Sequence, residues 1–474
     1  MLWTCLTFPD LPLAVFARGA ARETPALVAS ASHRPDVVAV NDAARKRGIV
    51  PGLSIAAALA LDPGVKTHLR DERAETHALK SIALWAGRWS STISIEPPAS
   101  VLLEIASGLN YFGGLDKLLG RIDAGLAAIG FPGIVATAPT AGAASLLARS
   151  GQPVVVEEIP DCERRLAALP VALLENAQAV LDTLSGIGVR TLGELIALPR
   201  DGVARRFGQS LLDEIDRALG KQSDPRPPFV PPERYHGQLE LPAPVDEVEA
   251  LLFGIKRLVA EMVGFLHGRG AGVTRLRCDL VHEDVAPTSI VLGLTATRQI
   301  EHIMNVLRER LAREELPDRV EAIRLISEEM IPVRAKESEL FPVASRSSEA
   351  GAQLIERLRA RLGEDAVHAL EHRADHRPEL SSGQTVTIGG VARAASRRMP
   401  VIRPLWLLSS PRLLAGDPAA AELKLLSGPE RIETGWWDGF EIGRDYFVGR
   451  NARGETLWLY RERSGEWFVH GIFA

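Results

Sequence analysis

The sequence has little cysteine, and what it has is scattered. Its 474 residues include 3 cysteines, which stand far apart as Cys5, Cys162 and Cys278. They form no Cys-x-x-Cys pair, so the sequence carries no zinc-binding signature. Single, widely spaced cysteines are typical of proteins from a reducing compartment. We therefore expect no disulfides, no metal held by thiolates and no other cofactor.

Long apolar runs and an excess of basic charge are also missing. The opening residues, MLWTCLTFPDLPL, have no basic stretch at their start, and no run of ~18 apolar residues follows them. We therefore predict a cytoplasmic protein, neither exported nor spanning a membrane. The formal net charge of −5 excludes a uniformly basic coat for nucleic acid. Separate domains can still carry basic faces.

The periodic segments that are present predict a multidomain α/β and α+β chain. Residues 1–160 alternate between short strands and helices, which indicates an α/β domain. Residues 161–222 are helical in pattern throughout, and residues 235–332 read as a smaller α+β domain. Between these two lies SDPRPPFVPPER, residues 223–234, a proline-rich linker whose stiffness separates two bodies.

The last part of the sequence has a different character. Residues 333–351 are polar and small apart from one Leu-Phe pair, which is typical of an exposed tether. Residues 352–474 contain five of the 8 tryptophans and end in a strand, a turn and a strand. We expect a C-terminal region for partner interaction that includes a small β unit.

Two local patterns can be tested against the structure. Asp10 with Pro12, and Ser54 before an alanine-rich run, are expected to begin helices as N-caps. The stretch ISIEPPASVLLEI predicts two strands around a proline-containing turn, with the acidic residues Glu96 and Glu104 on them. Paired carboxylates on strands can hold metal ions.

Three segments resemble those of Y-family DNA polymerases, the low-fidelity translesion enzymes. NDAARKRGIVPGLSIAAALALDP at 41–63 resembles the fingers, and ATAPTAGAASLLARSGQPVVV at 136–156 resembles the palm. GIGVRTLGELIALPRDGVARRFG at 186–208 resembles the thumb. The segments follow the family's order and cover about residues 1–330. The resemblance implies palm, fingers and thumb followed by a little-finger-like domain beyond the linker.

The metal ligands of such polymerases are missing from the matched positions. The family holds two magnesium ions with carboxylates from two strands, and the metals activate the primer hydroxyl. Matching the family's first strand places Leu6 and Phe8 at the Asp-x-Asp step, and the second acidic step falls near Ala99 and Ser100. The resemblance therefore implies a polymerase fold without its metal site.

An active enzyme remains the alternative, with Glu96, Glu104 and Asp10 as unconventional ligands. Glu104 matches a non-catalytic acid of the family strand, and Glu96 has no acidic partner on the first strand. The nucleotide contacts are also reduced, because Asp42 and Ser145 replace a family Tyr and Lys.

A polymerase-like fold without its metal ligands, followed by a C-terminal extension, resembles the ImuB family of bacterial mutagenesis complexes. GPERIETGWW, RDYF, LWLYR and WFVHGIFA match that family's terminal pattern, so the resemblance covers essentially the whole chain. It implies a non-catalytic scaffold for translesion synthesis in the SOS response to DNA damage. The implied partners are the β sliding clamp, an ImuA-like protein of RecA fold, an error-prone C-family polymerase and DNA.

A clamp-binding peptide is expected in the tether. The ImuB family carries a Gln-x-x-Leu-Phe-like motif at this place, and such anchors enter a surface groove in an extended form. The matching residues are Glu337, Ser338, Glu339, Leu340 and Phe341. Glu337 cannot donate the amide hydrogen bonds of Gln. The alternative is that Leu340 and Phe341 pack onto the domain.

Two further sets of residues are candidates for contact with DNA and with partners. For sequence-independent contact with DNA phosphates we expect the thumb and little-finger-like residues Gly186, Gly188, Arg190, Arg205, Arg206, Arg275 and Arg277. The family's Pro-Gly-Val-Gly hairpin is replaced by LPVALLEN, so solvated surface is the alternative for these residues. For partner docking we expect Trp436, Trp437, Arg444 and Tyr446, because aromatic and arginine residues dominate interface hot spots.

Overall fold

The computed structural model describes residues 1–18, 24–174, 178–333, 345–385 and 403–473. The chain forms two compact units, Met1–Arg361 and Leu362–Ala474. The finer domain bounds expected from the sequence stay predictions. Among the described helices, none is long and apolar enough to cross a membrane.

The first unit begins with two sheets and the helices that cover them. Its first elements are β1 (Trp3–Thr7), α1 (Leu11–Ala17), β2 (Ala26–Ala29), β3 (Val37–Val40), α2 (Asp42–Lys46), α3 (Ile55–Leu61), β4 (Lys66–Leu69), α4 (Glu72–Ala86), β5 (Ile93–Glu96), β6 (Ser100–Glu104), α5 (Leu109–Phe112), α6 (Leu115–Ile129), β7 (Ile134–Ala138), α7 (Ala141–Arg149) and β8 (Val154–Val155). The strand–turn–strand expected around the double proline is confirmed.

The central sheet has the strand order β5-β6-β1-β7-β8, and a small second sheet has the order β3-β2-β4. β1 lies between β6 and β7 and is antiparallel to both. Because side chains alternate along a strand, the central sheet presents two different faces. Leu6, Val101 and Leu103 pack with α4 and α6, whereas Cys5 and Leu102 pack with α7.

One of the two helix starts follows its expected capping pattern. The Ser54 hydroxyl accepts a hydrogen bond from the Ala57 amide and caps α3, as predicted. Helix α1 also begins after Asp10 with Pro12 in its first turn, as predicted, but the Asp10 side chain makes no capping hydrogen bond to it. The Asp10 backbone, at φ −94° and ψ 17°, lacks the extended conformation that lets an N-cap side chain reach back.

The next stretch is helical, as expected. Its helices are α8 (Ile159–Ala167), α9 (Gln178–Gly186), α10 (Leu192–Ile196), α11 (Arg200–Phe207) and α12 (Gln209–Ala218). At the start of α10, Thr191 and Glu194 form a capping box. The core of these helices is continuous with the α7 side of the central sheet. The helical region is therefore packed on the sheet.

Beyond the linker lies the expected α+β domain. Its elements are β9 (His236–Val245), α13 (Val248–Gly268), β10 (Ala271–Val281), β11 (Thr288–Thr297), α14 (Ile300–Leu311) and β12 (Val320–Pro332). The strands form one antiparallel sheet in the order β11-β10-β12-β9, and α13 and α14 pack on one face of it.

Helix α13 belongs to two cores at once. Leu84 of α4 lies in the core of the α+β domain, and Ala260 of α13 lies in the core of the central sheet. The approach is so close that a Cβ atom on Gly264 would stand 2.6 Å from the Trp85 carbonyl oxygen. Most of α13 from Leu251 to Leu266 is buried, as expected for a helix that packs against two cores.

A buried ion pair crosses the same contact. Glu261 of α13 is fully buried and pairs with Arg18, which follows α1. The second oxygen of Glu261 accepts a hydrogen bond of 2.9 Å from the Tyr235 hydroxyl. Arg18 also donates through Nε to the Ile129 carbonyl, at 2.9 Å. Buried charges are stable only when they are paired and hydrogen-bonded, and these are.

One further helix, α15 (Ser345–Leu362), begins earlier than the sequence pattern indicated. The sequence predicts an exposed tether over residues 333–351, and the helix begins within that range. Residues 345–352 contain no proline, so the helix can extend towards the N-terminus once contacts stabilise its later turns. Glu356 holds them, since it accepts hydrogen bonds from the His302 ring and the Thr295 amide, both at 2.6 Å.

The C-terminal unit is a β structure. Its strands are β13 (Ala369–His372), β14 (Ser382–Thr385), β15 (Trp406–Leu413), β16 (Lys424–Thr434), β17 (Ile442–Arg450), β18 (Thr456–Glu462) and β19 (Trp467–Ile472). The last five form a sheet in the order β15-β19-β18-β17-β16, and β13 pairs with β14. Each face of the larger sheet carries its own small core, one around Leu459 and one around Trp458. The expected β unit is confirmed.

Candidate functional site

The face of the central sheet turned towards α7 carries a row of polar side chains. Thr7 and Ser100 lie opposite each other in register, and their hydroxyl oxygens are 2.8 Å apart. Glu96 lies beside Ser100 on β5, and Ser94 lies one pleat further along. We call Thr7, Ser94, Glu96 and Ser100 the polar face. Of the positions that the sequence match assigns to metal ligands, Ser100 belongs to this face, and Ala99 precedes it.

The structure changes which residue of β1 belongs to this site. Leu6 and Phe8 are almost fully buried in the core on the opposite side of the sheet. Thr7, between them, is the residue that faces Ser100. Strand alternation turns neighbouring side chains to opposite faces, so Leu6 and Phe8 do not share a face with Ser100. Their match to the metal ligands of the family stays a prediction. Ala99 contributes its carbonyl, which accepts the Phe8 amide at 2.8 Å.

Glu96 and Glu104, the two acids of the ISIEPPASVLLEI stretch, do not act as a pair. Glu104 accepts backbone amides of Leu2 and Ala106, at 3.3 and 3.2 Å, and so closes the end of β6. Glu96 instead accepts Nη1 of Arg226 at 2.8 Å. Arg226 also donates Nη2 to Asp224 at 2.7 Å, so the two acids share one guanidinium.

Burial and charge act in opposite directions on Arg226. Burial alone would lower the pKa of its guanidinium. The hydrogen bond to Asp224 and the charge of Glu96 outweigh burial and raise the pKa above its ordinary value. Arg226 is therefore a permanent cation beside the polar face. Nothing near Glu96 in the sequence indicated this partner, which is 130 positions away.

The polar face does not fit a divalent metal ion. Magnesium requires charged oxygen ligands, and Thr7 and Ser100 offer neutral hydroxyls that bond to each other. Burial raises the pKa of the neighbouring Cys5 thiol to about 11, so it stays protonated. In the described ranges, no group of three or more His, Cys, Asp or Glu side chains is arranged to hold a metal.

The residues of the segments matched to nucleotide contacts are also poorly placed to bind a nucleotide. Arg45 of α2 pairs with Asp42 of the same helix at 3.0 Å, on an exposed surface. Ser145 is buried in the middle of α7. The arginine is therefore partly neutralised, and the serine does not reach an open surface.

In the helical region, the residues predicted to contact DNA are exposed, but one of their amides already donates a hydrogen bond within the protein. Gly188 has φ +89°, and its amide donates to the Ser185 carbonyl at 3.0 Å, which closes α9. Arg190 and Gly186 are exposed on the same turn. Arg205 and Arg206 are exposed near the end of α11. The arginines are thus open to a phosphate, whereas the Gly188 amide is occupied.

In the α+β domain, Arg275 and Arg277 share the open face of β10, as expected. Glu328 of β12 lies between them, at 2.8 Å from Arg275 and 3.2 Å from Arg277. Arg277 also lies 3.3 Å from Asp279. This sheet face therefore carries balanced charge.

The four residues expected to dock partners fall into two groups. Trp436 and Trp437 are 76% and 55% exposed, at the tip of the β16–β17 connection. Tyr446 is 1% exposed and stacks on Trp458 with ring centroids 4.1 Å apart. Arg444 is mostly covered and donates to Glu379 at 2.9 Å. Only the tryptophans are open to a partner; the prediction for Tyr446 did not allow for its burial between strands.

The tip that carries these tryptophans is held firmly at its base. Arg377 donates to Asp438 at 2.6 Å and to Asp375 at 2.7 Å. These hydrogen bonds lower the pKa of Asp375 to about 2 and raise that of Arg377.

The residues predicted to bind the clamp, Glu337, Ser338, Glu339, Leu340 and Phe341, lie outside the described residues, so their assignment stays a prediction.

The sequence is similar over nearly its whole length to Protein ImuB of Caulobacter vibrioides. In each of two strains the relative is 28% identical over an alignment of 460 residues, and the alignment covers 90% of this chain and 100% of the relative. This similarity confirms the resemblance to ImuB predicted from the terminal motifs. No protein-family profile matches the sequence.

Solved structures of Y-family polymerases also align with the chain. DinB from Sulfolobus solfataricus is 17% identical, with a TM-score of 0.40, and the alignment covers 70% of this chain and 100% of that one. An insertion ternary complex of Dbh DNA polymerase is 18% identical, with a TM-score of 0.41, over 69% of this chain and 98% of that one.

Proposed function

We propose that this protein is a non-catalytic, polymerase-like scaffold in DNA-damage-induced mutagenesis. In translesion synthesis it links the sliding clamp, an ImuA-like protein and an error-prone C-family polymerase that performs the synthesis. The similarity to Protein ImuB along 90% of the chain supports the general role. The partners are those that the family resemblance implies.

The observation that carries the proposal is the chemistry of the polar face. A polymerase needs carboxylates there to bind magnesium, which polarises the α-phosphate and activates the primer hydroxyl. Here two hydroxyls bond to each other, and the nearest carboxylate, Glu96, is paired with Arg226. A metal ion brought to this place would meet a positive charge and no free acid.

Primer extension tests the proposal directly. Purified protein with a primed template, all four nucleotides and magnesium or manganese is expected to incorporate nothing above background. A matched control is an active Y-family polymerase on the same template. Incorporation that is abolished by Glu96→Ala but retained in Glu104→Ala would contradict the proposal and favour the alternative of an enzyme with unconventional ligands.

We also propose that DNA is held without sequence preference, through exposed arginines of the helical region. Arg190, Arg205 and Arg206 are the best placed, because they are exposed and, among the described residues, form no ion pair like those of Arg275 and Arg277. The Glu194 carboxylate near Arg190 accepts that residue's backbone amide. Phosphate contacts of this kind are weakened by salt. Binding of a labelled duplex should therefore fall steeply with salt, and more weakly in a triple Arg→Gln variant.

A further inference from the structure

The proline-rich linker does not behave as a free spacer in the structure. Its residues make a series of contacts to the first unit, beginning at Asp224 and continuing to Pro232. We define residues 224–229 as the strap. Each of its polar contacts meets a different group at or beside the polar face.

The first contact places an anion at the start of a helix. Asp224 Oδ2 accepts the Gly142 amide at 3.0 Å, in the first turn of α7. The amides of a first helical turn carry partial positive charge and lack partners within the helix. The carboxylate therefore takes a position that favours negative charge. Asp224 is itself largely buried there.

The second contact places a cation beside an acid. Arg226 bridges Asp224 and Glu96 through its two terminal nitrogens, at 2.7 and 2.8 Å. The side chains of Arg226 and Glu96 are only 20% and 17% exposed. Charge-assisted hydrogen bonds at this burial are stronger than those of a surface pair.

The third contact extends the sheet edge. The Phe229 amide donates to the Ile93 carbonyl at 2.7 Å, on the outer side of β5. The Phe229 ring packs against both the core of the central sheet and the core of the α+β domain. Pro225, Pro227 and Pro228 restrict the backbone between these anchors, which lowers the entropy lost on docking.

We propose that the strap is a built-in closure of the polar face. Its arginine is the fixed cation at Glu96, its aspartate is the fixed anion at the start of α7, and Phe229 secures its far end. The face is thereby closed to a diffusible cation or a phosphate, and the start of the α+β domain is fixed in place. This closure goes beyond the scaffold role and does not depend on which partners bind.

Hydrogen–deuterium exchange resolved to single residues tests the closure in the full chain. In the wild type, the amides of Phe229 and Gly142 should exchange far more slowly than in an unstructured peptide. Arg226→Gln keeps the side chain's length but removes the charge, and should speed exchange at both amides by about tenfold or more. Arg226→Lys should restore part of the protection.

Two further variants keep the test decisive. Arg200→Gln removes an exposed arginine that pairs with Asp216 at 3.1 Å, and should leave both amides unchanged. Glu96→Gln removes the partner of Arg226 on the sheet and should also speed exchange at both amides. It provides the test if Arg226→Gln does not fold. Wild-type exchange at the unstructured rate, or equal protection in wild type, Arg226→Gln and Glu96→Gln, would overturn the proposal.

Discussion

The two units of the molecule differ in their tryptophans, because the C-terminal unit buries Trp458 but exposes three others. In the first unit, Trp85 and Trp89 are 1% and 7% exposed and pack beneath the central sheet. In the C-terminal unit, Trp406, Trp436 and Trp437 are 69%, 76% and 55% exposed. Solitary exposed aromatics are ordinary, but Trp436 and Trp437 adjoin each other, with ring centroids 5.6 Å apart, and adjoining exposed aromatics favour an interaction surface.

The difference indicates where each unit can act on other molecules. The first unit holds two ion pairs largely inside, Arg18–Glu261 and Arg226–Glu96. A polymerase would keep the polar face open to substrate, and here the chain's own linker covers it. In the described part of the C-terminal unit, large aromatic side chains such as Trp436 and Phe440 are instead exposed. Its chemistry suits binding to proteins.

The largest expected effect separates the partners of the two units. Deleting residues 363–474 should remove binding of the C-family polymerase and the ImuA-like protein, because the exposed tryptophans are lost. Clamp binding should remain, since residues 337–341 are kept. The deletion retains α15 and therefore the Glu356–His302 contact. Pull-downs with each purified partner measure the outcome.

The matched control for this deletion is Leu340→Ala with Phe341→Ala in the full chain. It should abolish clamp binding and leave the other two partners bound. Retention of the polymerase and the ImuA-like protein by the truncated chain would remove the functional difference between the units. Unchanged clamp binding in the double variant would remove the clamp assignment.

The second prediction concerns the inward charges of the first unit. Glu261→Ala leaves Arg18 buried without its partner, so the free energy of unfolding of this unit should fall by about 3–5 kcal/mol. Urea denaturation with exchange measured separately in each unit is the measurement. The control is Glu249→Ala on the same helix, whose pair with Arg308 is exposed and should contribute at most about 1 kcal/mol. Similar losses in both variants would contradict the assignment.

The third prediction contrasts two tryptophans within the C-terminal unit. Trp458→Ala should destabilise this unit by about 3–5 kcal/mol, because the ring is buried and stacks on Tyr446. Trp436→Ala should change the free energy of unfolding by no more than about 0.5 kcal/mol, since the ring is exposed. Thermal unfolding measures both. An equal loss in the two variants would mean that Trp436 is structural rather than a binding residue.

The smallest expected effect is a pH dependence in the same unit. Burial lowers the pKa of His470 below its ordinary value of 6.5, and its ring lies 2.9 Å from the Tyr446 hydroxyl. The unfolded chain therefore binds a proton more readily than the folded one. Stability should be fully present above pH 6.5 and fall as the pH drops towards the folded pKa, by at most about 1.4 kcal/mol per pH unit.

The control for this dependence is His470→Gln, which can still hydrogen-bond Tyr446 but does not titrate. In this variant the free energy of unfolding should lose the dependence on pH below 6.5 that the wild type shows. A wild-type slope that persists in the variant would assign the effect to another group.

The sequence was sufficient for those features that depend on neighbouring residues. The cap at Ser54 and the two strands around the double proline follow from local patterns, and the structure confirms them. The position of Thr7 could also have been found, because alternation along β1 requires that Leu6 and Thr7 face opposite sides.

The contacts that close the polar face could not have been predicted in this way. Arg226 lies in a proline-rich segment that composition describes as a spacer, and its partner Glu96 is distant in sequence. The burial of Glu261 was equally hidden, since one acid within a long apolar helix gives no indication of its partner. Such contacts depend on how whole domains pack, which periodicity does not encode.

The sharing of α13 and Phe229 between two cores has a consequence for dividing the molecule. A fragment cut at the linker would expose the side of α13 that packs on α4, including the surface around Gly264. The α+β domain should therefore be insoluble or poorly folded when expressed alone. The polymerase-like region is expected to melt in one cooperative transition, as a single folding unit rather than a string of independent domains.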